Sequence, residues 1–412
     1  MRILHLLDYS FPKIGGYSIR SHYILKNQKQ FADSFALTKP CFIRKNGPYI
    51  YDGVIYFRYP PNKMTSLFYD TSFSKRFKIS KLYYQFYFKI LRSPNNYLSE
   101  LVKSLNIDII HGHSPAEFSK FGEMVSNQKN IPFVYEVRGF WEDTAVSLGL
   151  ISITDREYWK RRENETSLMR KADAISTLGT SMKRELIQRG INEKKIYVIP
   201  NAVDINQFTP KPPNEEILEY LRIKNKKIIS YIGSIRPLEG IEILLRAIKK
   251  LTKKLDSFML LLIGKSSSQY RIKLEKIIKN LKIEEYVKFL GQIEPEKIAK
   301  YYSISDLITI PRINTRVTRY VTPLKPLEAM AMEKVVLASD LPALRELIKP
   351  NVSGDLFKAG DPNDLANKIV KYLNNEKIRI ELAKRARKYV ERQFSWEKVI
   401  LKYKNLYQDL LN

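Results

Sequence analysis

Short apolar runs alternate with longer amphipathic stretches along nearly all of the 412 residues, and no other feature constrains the fold as much. Strands buried on both faces read as unbroken apolar segments, and helical connections between them complete the pattern of an α/β architecture with parallel strands. Candidate strands of the first half are 2–7, 53–58, 108–111, 132–137, 173–178 and 196–200. Those of the second half are 228–233, 258–264, 286–290, 306–310 and 335–339. Between the halves lies DINQFTPKPPNEE, whose prolines and polar residues mark a linker. The boundary is placed near Pro210. Two doubly wound domains follow, 1–209 and 210–389, with a closing segment 390–412 that contains the amphipathic helix FSWEKVILKYKNLYQDLL. Ligands of such sheets bind beyond the carboxyl ends of the strands, so a cleft between the domains is the expected site.

Composition narrows the class. Hydrophobic residues make up 44% and charged ones 28%, an ordinary globular balance. The single cysteine, Cys41, excludes a disulfide framework or a thiolate-rich zinc site and fits a reducing cytoplasm. The start, MRILHLLDYSFP, reads as a first strand and lacks the features of a signal peptide. No run approaches the ~20 apolar residues of a spanning helix. The outlier is charge: 71 Lys+Arg against 43 Asp+Glu gives +28. Such an excess suits a polyanionic partner, whether nucleic acid, an anionic membrane or a phosphorylated substrate; a lysine-rich composition alone produces the same number.

Several stretches carry chemistry at strand ends. FPKIGGYSIRSHYIL follows the first strand, and Gly15-Gly16 lets backbone approach a ligand or simply makes a tight turn. IIHGHSPAE places His111 and His113 two apart on an extended segment, one face of a strand, with no further His or Cys cluster to complete a metal site. A cleft-lining role suits them better than a core one. RGFWEDT crowds Arg138, Trp141, Glu142 and Asp143 onto a strand-to-helix turn; an N-cap explains Asp143 alone, whereas Arg138 beside Trp141 suits anion and sugar-face contacts. In the second half, YIGSIRPLEG and LLLIGKSSSQYR give glycine turns with Arg236 and Lys265. The loop PRINTRVTRYVTPLK adds Arg312, Arg316, Arg319 and Lys325, four cations that read as an anion clamp or a solvated surface. In PLEAMAMEKVVLASD a lone carboxylate, Glu328, either flanks a buried helix or accepts hydrogen bonds from paired hydroxyls.

Taken in order, GG, IPNAVDINQF, YIGS…EG, LLLIG, VKFLGQI, PLEAMA with VVLASD, SGDLFKAGDPNDLANKI and FSWEKV resemble the family-4 retaining glycosyltransferases of the GT-B fold over nearly the whole chain. The stretches GGYSIRSHYIL, YEVRGFWEDT, IGSIRPLEG and VTPLKPLEAMA look closest to a subgroup associated with exopolysaccharide or surface-glycan assembly. The resemblance implies two Rossmann-like domains facing across a cleft, with the acceptor on the first and a UDP- or GDP-linked sugar on the second. It also implies that the last helix crosses back to the first domain. Glu328 then binds the ribose hydroxyls. Gly16, Gly233, Ser234, Gly264, Lys265, Tyr320, Thr322, Pro323 and Leu324 are expected around the donor, and His113, Trp141 and Asp143 around acceptor or sugar. Arg138, Glu142, Arg236 and Lys325 are the expected catalytic residues. The chain departs from the family pattern at four places. A second glutamate falls on Tyr320, the diphosphate-gripping Arg and Lys fall on Ser234 and Glu239, and an acceptor-side histidine falls on Arg138.

No Asp-x-Asp pair occurs, which agrees with a reaction that uses no metal and no other cofactor. The segment 74–92, SKRFKISKLYYQFYFKILR, interleaves cations with aromatics and is either an interfacial anchor on anionic lipid or a basic surface helix. The expected location is the cytoplasm or the inner face of the membrane, with a glycan or lipid-linked acceptor. The alternatives are a nucleotide-sugar epimerase, a catalytically degenerate homologue, and a nucleic-acid-binding protein, for which no binding motif appears.

Overall fold

The computed structural model describes residues 1–39, 49–58 and 94–412. The basic aromatic segment 74–92 therefore lies outside the described residues. The chain forms two compact units, one of Met1–Leu178, Met182–Ile199 and Ile400–Asn412, the other of Gly179–Ser181 and Pro200–Val399.

The first unit holds an eight-stranded sheet built from β1 (Arg2–Leu7), β2 (Asp33–Thr38), β3 (Tyr49–Tyr51), β4 (Val54–Arg58), β5 (Ile109–His113), β6 (Phe133–Val137), β7 (Ala174–Thr177) and β8 (Ile196–Val198). Its order is β3-β4-β2-β1-β5-β6-β7-β8. Every pairing is parallel except the β3–β4 hairpin. The strand order reverses at β1 and β5, the switch point at which such sheets bind ligands. The expected strands match these closely, and β2 and β3 lie outside them: DSFALT opens on polar residues, and YIY is too short to announce itself.

The second unit is a six-stranded, fully parallel sheet of order β11-β10-β9-β12-β13-β14. Its strands are β9 (Lys227–Ile232), β10 (Phe258–Ile263), β11 (Val287–Gly291), β12 (Leu307–Ile310), β13 (Val335–Ser339) and β14 (Asp355–Phe357). Side chains of a strand alternate between faces, and β10 shows it directly. Met259, Leu261 and Ile263 enter one core cluster, while Phe258, Leu260 and Leu262 enter the other. Burial on both faces explains why its sequence, FMLLLI, carries no polar residue.

The division falls at Pro200, earlier than the proline-rich linker suggests. Val203 donates its N–H to Phe394 O and forms a parallel bridge to Ser395, and Phe208 sits in a core cluster of the second unit. Residues before Pro210 are thus already part of that core. The closing helix Trp396–Leu411 changes allegiance along its length, with Ile400–Asn412 packed in the first unit. Among the described residues, no helix is long and apolar enough to cross a membrane.

Candidate functional site

In the second unit, β9 and β10 are followed directly by Gly233 and Gly264, at φ +140° and +144°. A Cβ on Gly264 would lie 1.9 Å from Gly233 O, and one on Gly233 would lie 2.1 Å from Lys325 Cε. Neither turn tolerates a side chain. The two turns run side by side beyond the sheet, with Gly233 N–H on Ile263 O at 2.8 Å and Ile235 N–H on Lys265 O at 2.8 Å. Ser234 and Lys265 are exposed on them.

Glu239 follows on the β9 turn and is buried. Lys325 Nζ donates to its Oε2 at 2.6 Å, Arg312 reaches both oxygens at 3.2 and 3.3 Å, and Arg236 lies 3.7 Å away. Burial opposes ionisation of Glu239, yet Arg312 and Lys325 hold its pKa well below the usual carboxylate range. The same burial lowers Lys325 to about 8 despite its carboxylate partner. Arg236 leaves half of its side chain in solvent.

The loop after β12 is tied down at its far end. Arg312 Nη1 donates to Val321 O at 2.9 Å, and Asn201 Nδ2 donates to Thr322 O at 2.7 Å. Thr322 and Pro323 are buried, and Leu324 is half-buried. Tyr320, half-buried, lies under the Arg316 guanidinium at 5.5 Å. Glu328 stands in the first turn of the helix Lys325–Ala331, ahead of the buried Ala329, Met330 and Ala331. The Tyr302 hydroxyl donates to its Oε2 at 2.9 Å. Burial raises the pKa of Glu328, against the Tyr302 hydrogen bond and the Lys325 ammonium.

The first unit corrects several expectations. His111 and His113 do not line a cleft; both are buried, joined by His5, whose strand β1 pairs with β5 in register His5↔His111. His113 Nδ1 must accept from Arg138 Nη2 (2.8 Å), because a guanidinium has no lone pair to offer. This assigns the tautomers in turn. His113 Nε2–H donates to His5 Nδ1 at 2.9 Å, and His5 Nε2–H to Gln28 Oε1 at 2.8 Å. Gln28 Nε2 donates to Tyr407 Oη, whose hydroxyl donates to His111 Nδ1, each at 2.8 Å. His111 Nε2 is left without a hydrogen bond, 3.6 Å from Glu136 Oε2. Burial lowers the pKa of His5 to about 4, and of His111 and His113 well below the usual value.

His113 is therefore not available to an acceptor sugar. Nor is Arg138, whose Nε binds Glu136 Oε1 at 2.7 Å while Nη1 binds Tyr17 O and Ser21 Oγ. Burial would raise the pKa of Glu136, but Arg138 and Arg20 hold it well below the usual range. Glu142, fully buried, faces Arg189 at 2.7 Å, and Asp143 accepts from Tyr158 at 2.9 Å. These two carboxylates are internal supports and not reacting groups. Trp141, at the head of the helix Trp141–Ser147, is 38% exposed, and Gly16 opens the helix Gly16–Gln28 at the surface.

His5, His111 and His113 could in principle hold a metal, their nitrogens lying within 4.8 Å of one another. The hydrogen-bond chain uses five of the six ring nitrogens, so a metal would have to displace it. Two features are not legible in the sequence: His5 in this group, and Lys325 as the particular basic neighbour toward which Glu239 turns. For the first group, a carboxylate inside the apolar strand FVYEV was the available signal.

Two doubly wound sheets, the first parallel apart from its edge hairpin and the second fully parallel with glycine turns and a buried carboxylate–cation cluster beyond its strands, define a two-unit Rossmann-like protein of the GT-B class. Residues 64–207 match the family model for Glycosyltransferase Family 4, and residues 214–389 match that for Glycosyl transferases group 1. The chain belongs to the family-4, group-1 glycosyltransferases. It is 23% identical over 246 residues to an uncharacterized glycosyltransferase of Methanocaldococcus jannaschii, covering 60% of each chain. It is 25% identical over 241 residues to N-acetyl-alpha-D-glucosaminyl L-malate synthase of Bacillus anthracis, covering 58% of this chain and 61% of that one. The matched region thus spans about three fifths of these relatives. Among solved structures, Anabaena HepE in complex with UDP is similar over 100% of both chains, with a TM-score of 0.74 and 18% identity.

Proposed function

We propose that the chain transfers a glycosyl group from a nucleoside-diphosphate sugar, UDP- or GDP-linked, to a glycan or lipid-linked acceptor with retention at the anomeric carbon. The observation that carries this reading is Glu328, a partly exposed carboxylate braced by Tyr302. It stands within the stretch matched by the group-1 model. Two carboxylate oxygens and no donor suit a cis-diol. The likeness to a UDP complex supports the class of donor.

In this reading Glu328 holds the ribose, and Lys325 with Arg236 and Lys265 faces the diphosphate. The bond from the anomeric carbon to the phosphate oxygen breaks as the acceptor oxygen bonds to that carbon on the same face. The acceptor proton passes to the departing phosphate. Charge grows on the diphosphate, so cations fixed beforehand contribute more than a strong base. No metal takes part. The protein works in the cytoplasm or at the inner face of the membrane, in surface-glycan assembly.

A panel of UDP-, GDP- and ADP-linked sugars, read by thermal shift and by release of the nucleoside diphosphate, tests the reading. One donor should stabilise the fold and turn over with an added acceptor extract. The anomeric coupling in the product, by NMR, reads the stereochemistry, and an inverted product sinks the retaining assignment.

A further inference from the structure

Three features converge on one ammonium group. Gly233 leaves room for the Lys325 stem, since a Cβ there would meet Cε at 2.1 Å and Cδ at 3.0 Å. Glu239 Oε2 takes one of the ammonium's three protons at 2.6 Å, and Tyr231 Oη takes another at 2.7 Å, itself donating to Ser234 O at 2.8 Å. A third proton remains. The Nζ thus stands over the β9 turn, beside the exposed Ser234, with 14% of the side chain open to solvent. Arg312 anchors the opposite side of Glu239 and the carbonyl of Val321, so the carboxylate ties the β9 turn to both ends of the loop leading to Lys325.

We propose that Glu239 is a positioning residue for the donor: it fixes Lys325 over Gly233, so that Lys325 presents its remaining N–H to the diphosphate. This rests on the donor reading above and deepens it. A carboxylate at position 239 would repel a diphosphate if it faced one alone. Paired with Lys325 and Arg312 it is neutralised and works through them, which accounts for an acidic residue on a phosphate-binding turn. The groups that face Lys325 are Glu239, Tyr231, Arg312, Arg236 and Glu328. Of these, Glu239 raises the Lys325 pKa while burial and the two arginines lower it.

The test is calorimetric titration of the full chain with UDP, GDP and ADP from pH 6 to 9. Wild-type affinity for the accepted nucleotide should weaken as pH rises through about 8, where Lys325 loses its proton. Glu239→Gln should weaken binding at pH 7 by roughly 10- to 100-fold, the loss of a hydrogen bond to a charged group. It should also move the pH limb downward, because the carboxylate that favours the ammonium is gone. Tighter or unchanged binding by Glu239→Gln, or an unmoved limb, overturns the proposal. Lys325→Met covers the case in which Glu239→Gln does not fold, since Glu239 keeps Arg312; it should lose the limb and roughly tenfold or more in affinity, and wild-type behaviour overturns the proposal. A wild-type protein that binds no nucleotide contradicts the donor reading itself.

Discussion

The Tyr302 hydroxyl donates to Glu328 Oε2 at 2.9 Å, and the tyrosine is fully buried. One carboxylate oxygen is thereby fixed from below; among the described residues nothing donates to the other. A buried partner that locks the rotamer of a binding residue lowers the ordering cost of binding.

Glu328→Ala should accordingly weaken nucleotide binding by about 1.5–3 kcal/mol, the range for hydrogen bonds to a charged group, with the fold retained. Tyr302→Phe keeps the ring in its core and removes only the brace, so its loss should be smaller. Calorimetry on both variants decides: equal affinities for wild type and Glu328→Ala would remove the ribose assignment.

Glu142 and Arg189 make a second measurable pair. Both side chains are at or near zero exposure, and Arg189 also lies over the Phe140 ring at 3.9 Å. Removing one member of a buried ion pair costs about 3–5 kcal/mol when the other charge is left alone, but Arg189 also keeps Glu185 at 3.2 Å, so the loss here should fall below that range. Glu142→Ala should therefore unfold at lower denaturant while nucleotide affinity at pH 7 stays at the wild-type value. A stable Glu142→Ala protein that binds donor and has lost turnover would restore Glu142 as a reacting group.

Acid should destabilise the first unit through its histidines. His5 has its pKa lowered from 6.5 to about 4 by burial, and His111 and His113 shift the same way. The unfolded chain then binds more protons below 6.5, so the stability present above that pH is lost as pH falls toward 4. For His5 alone this is on the order of 3 kcal/mol. Glu165, raised to about 7 by burial, works in the opposite sense, since its burial costs stability as pH rises from 4.5 to 7. Three histidines outweigh one glutamate, so the melting temperature should drop between pH 6.5 and 4.5, and less steeply in His5→Gln. A flat profile would contradict the buried neutral chain.

What the sequence revealed divides by the range of the interactions. The strands of the second unit were legible because a parallel sheet covered on both faces needs unbroken apolar runs, as in FMLLLI and VVLAS. The glycine turns at Gly233 and Gly264 were legible because nothing else fits there. The histidine chain was not. His5 and His111 are far apart in sequence and meet only through the register of β1 with β5. Residues such as Arg138 and Glu142 have the right chemistry for a site, and their types alone do not say that Glu136 and Arg189 already occupy them.

Metal chelation should leave nucleotide affinity, turnover and melting temperature unchanged. Diphosphate charge is assigned to Lys325, Arg236 and Lys265, and the imidazole nitrogens of His5 and His113 are all hydrogen-bonded. Activity lost to a chelator and restored by manganese or magnesium would require a metal in the reaction. A fall in melting temperature would point to His5, His111 and His113 as its ligands.

The second unit should hold a nucleoside-diphosphate sugar through Glu328 and Lys325. The decisive measurement is the melting temperature of the full chain and of the double variant Glu328→Ala, Lys325→Met with saturating UDP- and GDP-sugars. At 100 times its dissociation constant, a ligand adds about 2.7 kcal/mol of stability. A rise in melting temperature for wild type with one donor, absent in the double variant at the same concentration, is the predicted result. The same rise in both, or none in wild type with any donor, contradicts it.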